Sequence, residues 1–499
     1  MLLPVLRKAL ISLAVVLAAC HGRAPAPIRV VFAADQLGYL APCGCSEHQL
    51  GGAARAAAFL ETAAKEGPAL FVQGGNLLSG TLAPPAAEAA HAREKALAMG
   101  RSYALAAKDA PRVFATGPFD HALGADVLAR ALAGEPLLTA PALVAAGGLE
   151  IGLLPLGEGK TGTAASLRKQ GAAVVIAVVQ AKTLGAAEEL AAASGADLAL
   201  QSGVSDPVAD TDEAALLSGA VPAFRVKDKG RSLLDLRLYV PPGWKGGGLS
   251  VPEPAQARLA RAADLDKVIA SDRARLPGAP GPLRQLLQRK IDDLTRRRDA
   301  LHEPAPPPGD GARAEFSFVE LTDSLPQDPA VEAIFDAYNA KVAEANLAAQ
   351  KQKVCAKPKE GELAYSGAKS CRDCHADAFA VWQGTRHPRA YETLVRKGRQ
   401  YDVECIGCHV LGYEKPGGVC RLDQVGDLGG VQCEMCHGMG SIHEESLGER
   451  PMPVPKPDIE TCRRCHTPDN DTRFSAQTFP THYLPAILGP GHGKPAKRK

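Results

Sequence analysis

Residues Ile28 to Cys45 read IRVVFAADQLGYLAPCGC. The apolar, β-branched run from Ile28 predicts a strand that ends at Asp35 in a turn. Outward from it, strand-like and helix-like runs alternate. GGAARAAAFLETAAKEG, from Gly51, has helical composition, and ALFVQGG, from Ala69, reads as a strand. PRVFATG, LEIGLLPLG, AAVVIAVVQ, ADLALQSG, AFRVKDKG and SLLDLRLYV continue the strand series to Val240. Such alternation predicts an α/β layered fold over about residues 28–242.

The order of these segments resembles the metallophosphoesterase domain of 5′-nucleotidases. That family places two metal ions on D-x-H, GD, GNH and two later histidine motifs, where they clamp a phosphoester and activate water. Here D-x-H becomes Asp35-Gln36-Leu37. DAGDLFSG becomes Gln73-Gly74-Gly75-Asn76-Leu77-Leu78-Ser79-Gly80, and GNHEFD shrinks to Gly117-Pro118-Phe119-Asp120. Gln180 stands where a ligand histidine would follow its strand, and LALQSGVSD carries no histidine. The reading is a degenerate metallophosphoesterase-like domain without phosphoesterase activity. Cys43 and Cys45, in the loop after the first strand, admit a labile disulfide, a soft metal or pairing with distant cysteines.

Arg7 and Lys8 precede ALISLAVVLAAC, an apolar run too short to span a bilayer. Leu17-Ala18-Ala19-Cys20 resembles a bacterial lipobox. The resemblance implies removal of residues 1–19, lipidation of Cys20 and a short tether over 20–27. It places the protein in the cell envelope, at the outer membrane facing the periplasm or at the cell surface, held through its N-terminal lipid. Lysine plus arginine number 57 against 55 acidic residues, a net charge of +2. That balance makes no case for a nucleic-acid partner. Nothing in the sequence fixes the oligomeric state.

Of 13 cysteines, eight fall in four C-x-x-C-H segments: Cys371, Cys374 and His375; Cys405, Cys408 and His409; Cys433, Cys436 and His437; Cys462, Cys465 and His466. Chance would produce about 0.01 such motifs in a chain of this composition. Two thiols three positions apart reach the two vinyl groups on one porphyrin edge, and the adjacent imidazole lies under the iron. The motifs predict four covalent c-type hemes, with the four histidines as proximal iron ligands. Residues 361–499 hold little periodic apolar sequence. The macrocycles would therefore supply the core of a mainly α, loop-rich multiheme cytochrome c domain. Spare histidines are His387, His443, His482 and His492; the first three are the candidate distal ligands.

C-x-x-C-H followed by W-x-x-x-x-H-x-x-A, a second motif, GVQCEMCHGMGSIH and a last motif resemble the tetraheme cytochrome that accepts electrons from hydroxylamine oxidoreductase. The resemblance covers about 130 residues. It implies stacked hemes, His387 and His443 as distal ligands, one heme lacking a sixth ligand, and electron carriage rather than bond making. Cys355 and Cys420 complete, with Cys43 and Cys45, a set of four cysteines outside the heme motifs and lipobox. An even number permits two structural disulfides; a redox or metal role for Cys43 and Cys45 is the other reading.

Residues 243–360 read as a helical connector. PLRQLLQRKIDDLTRRRDAL spaces Leu283, Leu287, Ile291 and Leu294 as an amphipathic helix, with Arg296, Arg297 and Arg298 solvated. EPAPPPGDGA is a stiff proline linker. A strand and a helix from about Asp328 then lead to the first heme motif. The functional reading is an electron carrier between redox partner proteins. The alternative is an oxidoreductase acting on a small nitrogen or sulfur compound at a five-coordinate heme. A nucleotide phosphoesterase is disfavoured by the missing histidines.

Overall fold

The computed structural model describes residues 27–42, 49–85, 88–157, 159–203, 214–244, 246–253, 255–303, 311–467, 470–471, 473–476 and 478–488. Cys20, Cys43, Cys45 and His492 lie outside the described residues.

Strand β1 (Ile28–Ala33) alternates between two cores. Val31 and Ala33 join one apolar cluster, Val30 and Phe32 another. Both faces are covered, which is why the strand reads as an unbroken apolar run. It lies in a five-stranded sheet with β2 (Ala69–Gln73), β3 (Arg112–Phe114), β10 (Ser232–Tyr239) and β11 (Arg313–Glu320), in the order β11-β10-β1-β2-β3. A six-stranded sheet has the order β4-β5-β6-β7-β9-β8. Its strands are β4 (Ala142–Ala146), β5 (Leu149–Leu156), β6 (Val174–Gln180), β7 (Leu198–Ser202), β8 (Ala215–Ser218) and β9 (Pro222–Arg225).

The two sheets face each other across Val30, Phe32, Leu70 and Val72 on one side and Ile151, Leu153, Ile176, Val178 and Phe224 on the other. Helices α1 (Ala53–Glu66) and α2 (Ala89–Ala106) cover the outer face of the first sheet, and α3 (Leu184–Ser194) that of the second. The result is a four-layer α/β sandwich, in line with the alternation read along the sequence.

The structure moves one boundary. The segment 243–360 is not wholly a helical connector, because β11 pairs antiparallel with β10 from Ser232↔Glu320 to Tyr239↔Arg313 and closes the edge of the first sheet. Helix α6 (Pro329–Gln350), reached after the hairpin of α4 (Ala255–Arg275) and α5 (Gly281–His302), then packs its Val331, Tyr338 and Val342 into the same core as α1 and α2. A boundary at residue 242 would therefore cut through a sheet. The Asp328 side chain caps α6 by accepting from the Ala330 and Val331 amides, both at 2.9 Å.

The amphipathic helix forms as α5, which buries Leu287, Ile291 and Leu294. It also buries Lys290 against Asp272 at 2.9 Å. Of the arginine triplet, Arg296 is solvated, but Arg297 is only 11% exposed and pairs with Asp293. Three successive residues on a helix turn through about 200° in two steps, so the members of the run face different surroundings.

The C-terminal region is built of short helices and loops, with a small apolar cluster of Leu394, Ile406, Val410, Val419, Leu422 and Val425. It docks on the sandwich through α6 and α2. The Asn346 amide donates to the Tyr401 carbonyl at 2.8 Å, and Gln350 accepts from the Leu422 amide at 2.8 Å. Glu404 receives Lys95 at 2.9 Å and His91 at 3.3 Å. The His91 contact and the Lys95 charge hold the Glu404 carboxyl down at about 2. Cys355 and Cys420 form a disulfide across 65 residues. Among the described residues, no helix is long and apolar enough to cross a membrane.

Candidate functional site: two centres of opposite chemistry

At the ends of β1, β2 and β7, the positions of the degenerate metal motifs converge. Asp35 is 5% exposed and sits in the left-handed region, with φ 55°. Its carboxylate accepts from the Asn76 side-chain amide at 2.8 Å and from the Gly203 N–H at 3.0 and 3.1 Å. Asp120 accepts from four backbone N–H groups: Asn76 at 2.6 Å, Leu77 at 2.7 Å, Leu78 at 2.9 Å and Gly117 at 2.9 Å.

Gln180 donates to the Gly74 carbonyl at 2.8 Å and to Ser202 Oγ at 2.7 Å. Leu37 is buried. Burial raises the Asp35 carboxyl to about 7 against the pull of Asn76 and Gly203, and also raises that of Asp120. A two-metal centre needs oxygens and imidazoles aimed at a common point. Here the carboxylates are aimed at N–H donors instead. Asn76 explains itself: an aspartate there would set two carboxylates against each other, whereas its amide gives Asp35 a hydrogen bond. His121, 3.3 Å from Thr116 Oγ1, stands in a separate contact.

The C-terminal centre has the reverse character. Each C-x-x-C-H motif lies at a short helix: Ala368–Arg372, Val403–His409, Cys433–His437 and Ile459–Arg463. One helical turn brings the first thiol and the histidine to the same side; the His375 and His466 amides bond to the Cys371 and Cys462 carbonyls, both at 2.9 Å. Asp402 and Asp458 cap the second and fourth helices at Glu404 and Thr461. None of the eight motif thiols is in a disulfide.

The motifs also adjoin one another. Cys371 reaches Cys433, Cys408 reaches Cys465, and Cys436 lies beside Cys462. That sets them in the spatial order first, third, fourth, second.

The imidazoles are oriented by oxygens that the sequence motifs do not mark. His409 Nδ1 lies 2.7 Å from the Ala390 carbonyl, and His437 Nδ1 lies 2.9 Å from that of Val454. His443 Nδ1 lies 2.5 Å from the Arg450 carbonyl, and His466 Nδ1 lies 2.8 Å from Asp471 Oδ2. An oxygen at Nδ1 fixes the proton there and leaves the Nε2 lone pair for a metal.

Two ring pairs face each other. His375 and His443 have centres 6.2 Å apart at 22°, and His387 and His466 have centres 6.3 Å apart at 74°. Two metal–imidazole bonds of about 2 Å each, plus about 1.1 Å from each nitrogen to its ring centre, need about 6 Å between centres. These residues therefore fit a six-coordinate heme iron between each pair. Burial, then His466, pushes His387 down to about 4, which keeps it neutral. His482 packs on Tyr483, with centres 5.2 Å apart.

The spacing W-x-x-x-x-H has a physical cause. Trp382 Nε1 donates to the Val431 carbonyl at 2.8 Å, and the Val431 amide donates to the His387 carbonyl at 2.9 Å. The tryptophan thus holds the His387 segment against the approach to the third motif.

Cysteine pairs and histidines arranged this way define a c-type cytochrome segment, which holds heme covalently. Residues 370–438 match the family of cytochrome c554 and c-prime. Cytochrome c-554 of Nitrosomonas europaea is 35% identical over 91 residues, 15% of this chain and 39% of that protein. The chain thus spans less than half the length of this relative. The calcineurin-like phosphoesterase YfkN from Bacillus subtilis aligns with 63% of this chain and 97% of its own at 11% identity, with a TM-score of 0.39. A 5′-nucleotidase precursor from Thermus thermophilus aligns with 72% of this chain and 67% of its own at 14% identity, with a TM-score of 0.37.

Proposed function

We propose that this chain is a tetraheme c-type cytochrome, lipid-anchored through Cys20, that carries electrons between redox partner proteins of the cell envelope. The observation that carries the reading is the pair of facing imidazoles, His375 with His443 and His387 with His466, at the spacing an iron requires. Heme supplies a one-electron iron couple when bound. Cys371 with Cys374, Cys405 with Cys408, Cys433 with Cys436 and Cys462 with Cys465 would attach the four groups. His375, His409, His437 and His466 would be the proximal ligands, with His443 opposite the first and His387 opposite the last. His482 is proposed as a further ligand on its position in the sequence. Asp471, 5% exposed, supports His466 as a carboxylate supports other metal-bound imidazoles, by raising the basicity of Nε2.

The ends of the path belong to partner proteins whose identity the chain does not encode. The adjacency of the motifs in the order first, third, fourth, second supports a continuous row of attachment sites. Extraction of denatured protein with acidic acetone is expected to leave the red colour on the chain, with a mass of four hemes above that of the processed polypeptide. Colour in the organic phase would overturn the proposal. Spin-state spectroscopy of the oxidised protein would then separate carrier from oxidoreductase. No change with nitrite, hydroxylamine or carbon monoxide would remove the oxidoreductase reading, and a heme perturbed by any of them would support it.

A further inference from the structure

Glu434 lies inside the third heme motif, between Cys433 and Met435, and is 1% exposed. A carboxylate so deeply buried is costly unless its oxygens are met by donors. Its donors among the described residues are backbone amides of two other segments. The Ser366 N–H lies 3.0 Å from Oε1 and 3.2 Å from Oε2. The Gly367 N–H donates to Oε2 at 2.7 Å, and the Gly440 N–H donates to Oε1 at 2.7 Å.

Gln432, two residues earlier and 3% exposed, continues the grip by accepting from the Ala368 amide at 2.7 Å. Ser366, Gly367 and Ala368 lead into the helix that carries Cys371 and precedes His375. Gly440 leads into the helix Ser441–Glu445, which carries His443. One carboxylate therefore holds the two backbone segments whose histidines face each other at 6.2 Å.

We propose that Glu434, a residue of the third motif, is the positioning residue for the axial pair of the first heme. Its two oxygens fix the separation between the His375 segment and the His443 segment. A glutamine in its place keeps the shape but turns an N–H₂ group toward an amide N–H, so one of the two segments loses its hold. The ligand spacing then relaxes at one iron and leaves the others alone. This inference rests on the assignment of His375 and His443 as ligands, so its test must fail separately from that assignment.

The experiment is low-temperature electron paramagnetic resonance and heme-resolved redox titration of the full-length, heme-loaded protein. It compares wild type with Glu434→Gln, Glu434→Asp and His443→Ala. The expected result is that His443→Ala removes one low-spin signal in favour of a high-spin one. Glu434→Gln is expected to shift or remove that same signal, and Glu434→Asp, which keeps the charge but shortens the reach, to shift it less. A signal lost in His443→Ala but untouched in Glu434→Gln overturns the role of Glu434 and leaves the ligand assignment standing. No change in His443→Ala overturns the ligand assignment itself. Equal disturbance of every heme by Glu434→Gln also overturns the inference, since it marks a general folding residue. Should Glu434→Gln fail to accumulate, Glu434→Asp is read by the same criteria.

Discussion

At the end of β1 the carboxylate of Asp35 faces the N–H donors of Asn76 and Gly203, while in the C-terminal region His443 and His466 turn Nδ1 to an oxygen and leave Nε2 outward. Both regions gather polar side chains at one point. In the sandwich the carboxylates of Asp35 and Asp120 are already met by N–H donors of the chain. In the heme region the chain satisfies one nitrogen of the ring and withholds the other. The difference shows that the direction of the hydrogen bonds, together with the loss of the histidines, separates a sealed centre from one prepared for a metal.

The comparison breaks most visibly if heme is withheld. Among its described residues, the C-terminal region has a small apolar cluster of its own around Leu394, Ile406 and Val410. Protein made without heme attachment is expected to lose residues beyond about 361 to limited proteolysis, while the sandwich persists. Mass spectrometry of the surviving core would check this, and equal survival of both regions would contradict it.

A smaller effect is expected where the sealed centre is reopened. Asn76→Asp sets a second carboxylate against buried Asp35 and should cost about 3 kcal/mol of stability at pH 8. The cost should shrink at pH 5, where the pair takes up a proton. Urea unfolding at the two pH values would measure it.

The same site makes a milder pH prediction. The Asp35 carboxyl is raised to about 7 by burial. Between its unfolded value of about 4 and its folded value, the native chain holds the extra proton. The contribution of this group to stability therefore falls as pH rises through that window and is fully lost above it. Asp35→Asn is expected to flatten this slope and to gain on the order of 1 kcal/mol at pH 8. A slope unchanged in the variant would show that other groups carry it. The smallest effect belongs to Leu37→His, which restores one ligand type without removing any donor. Calorimetry with manganese or zinc should register no binding at the sandwich, and no nucleotide should be hydrolysed.

Much of this was legible in local sequence. The alternation of strands and helices, the cap at Asp328 and the helical stripe of Leu287, Ile291 and Leu294 are set by neighbours a few residues apart. The replacement of D-x-H by Asp35-Gln36-Leu37 was equally plain. The partners of the imidazoles were not. Val454 is reached by His437 across 17 residues, and Ala390 by His409 across 19 residues, through carbonyls that carry no residue signature. The pairing of His387 with His466 spans most of the heme region, and spacing alone does not distinguish it from other pairings. The place of β11 was missed for the same reason. A strand is recognised from its own residues, but the sheet it joins depends on an edge some 70 residues earlier, at β10.

That edge decides how the molecule can be divided in the laboratory. A fragment begun at residue 243 would take the ribbon Arg313–Glu320 away from its mate. Phe316 and Phe318, which now rest on the apolar layer between the sheets, would be left bare. Such a fragment should clump in the test tube whatever the condition of its hemes. A cut beyond Gln350, where α6 ends, keeps both sheets and α6 together and severs the polar contacts of Glu404 with Lys95 and His91.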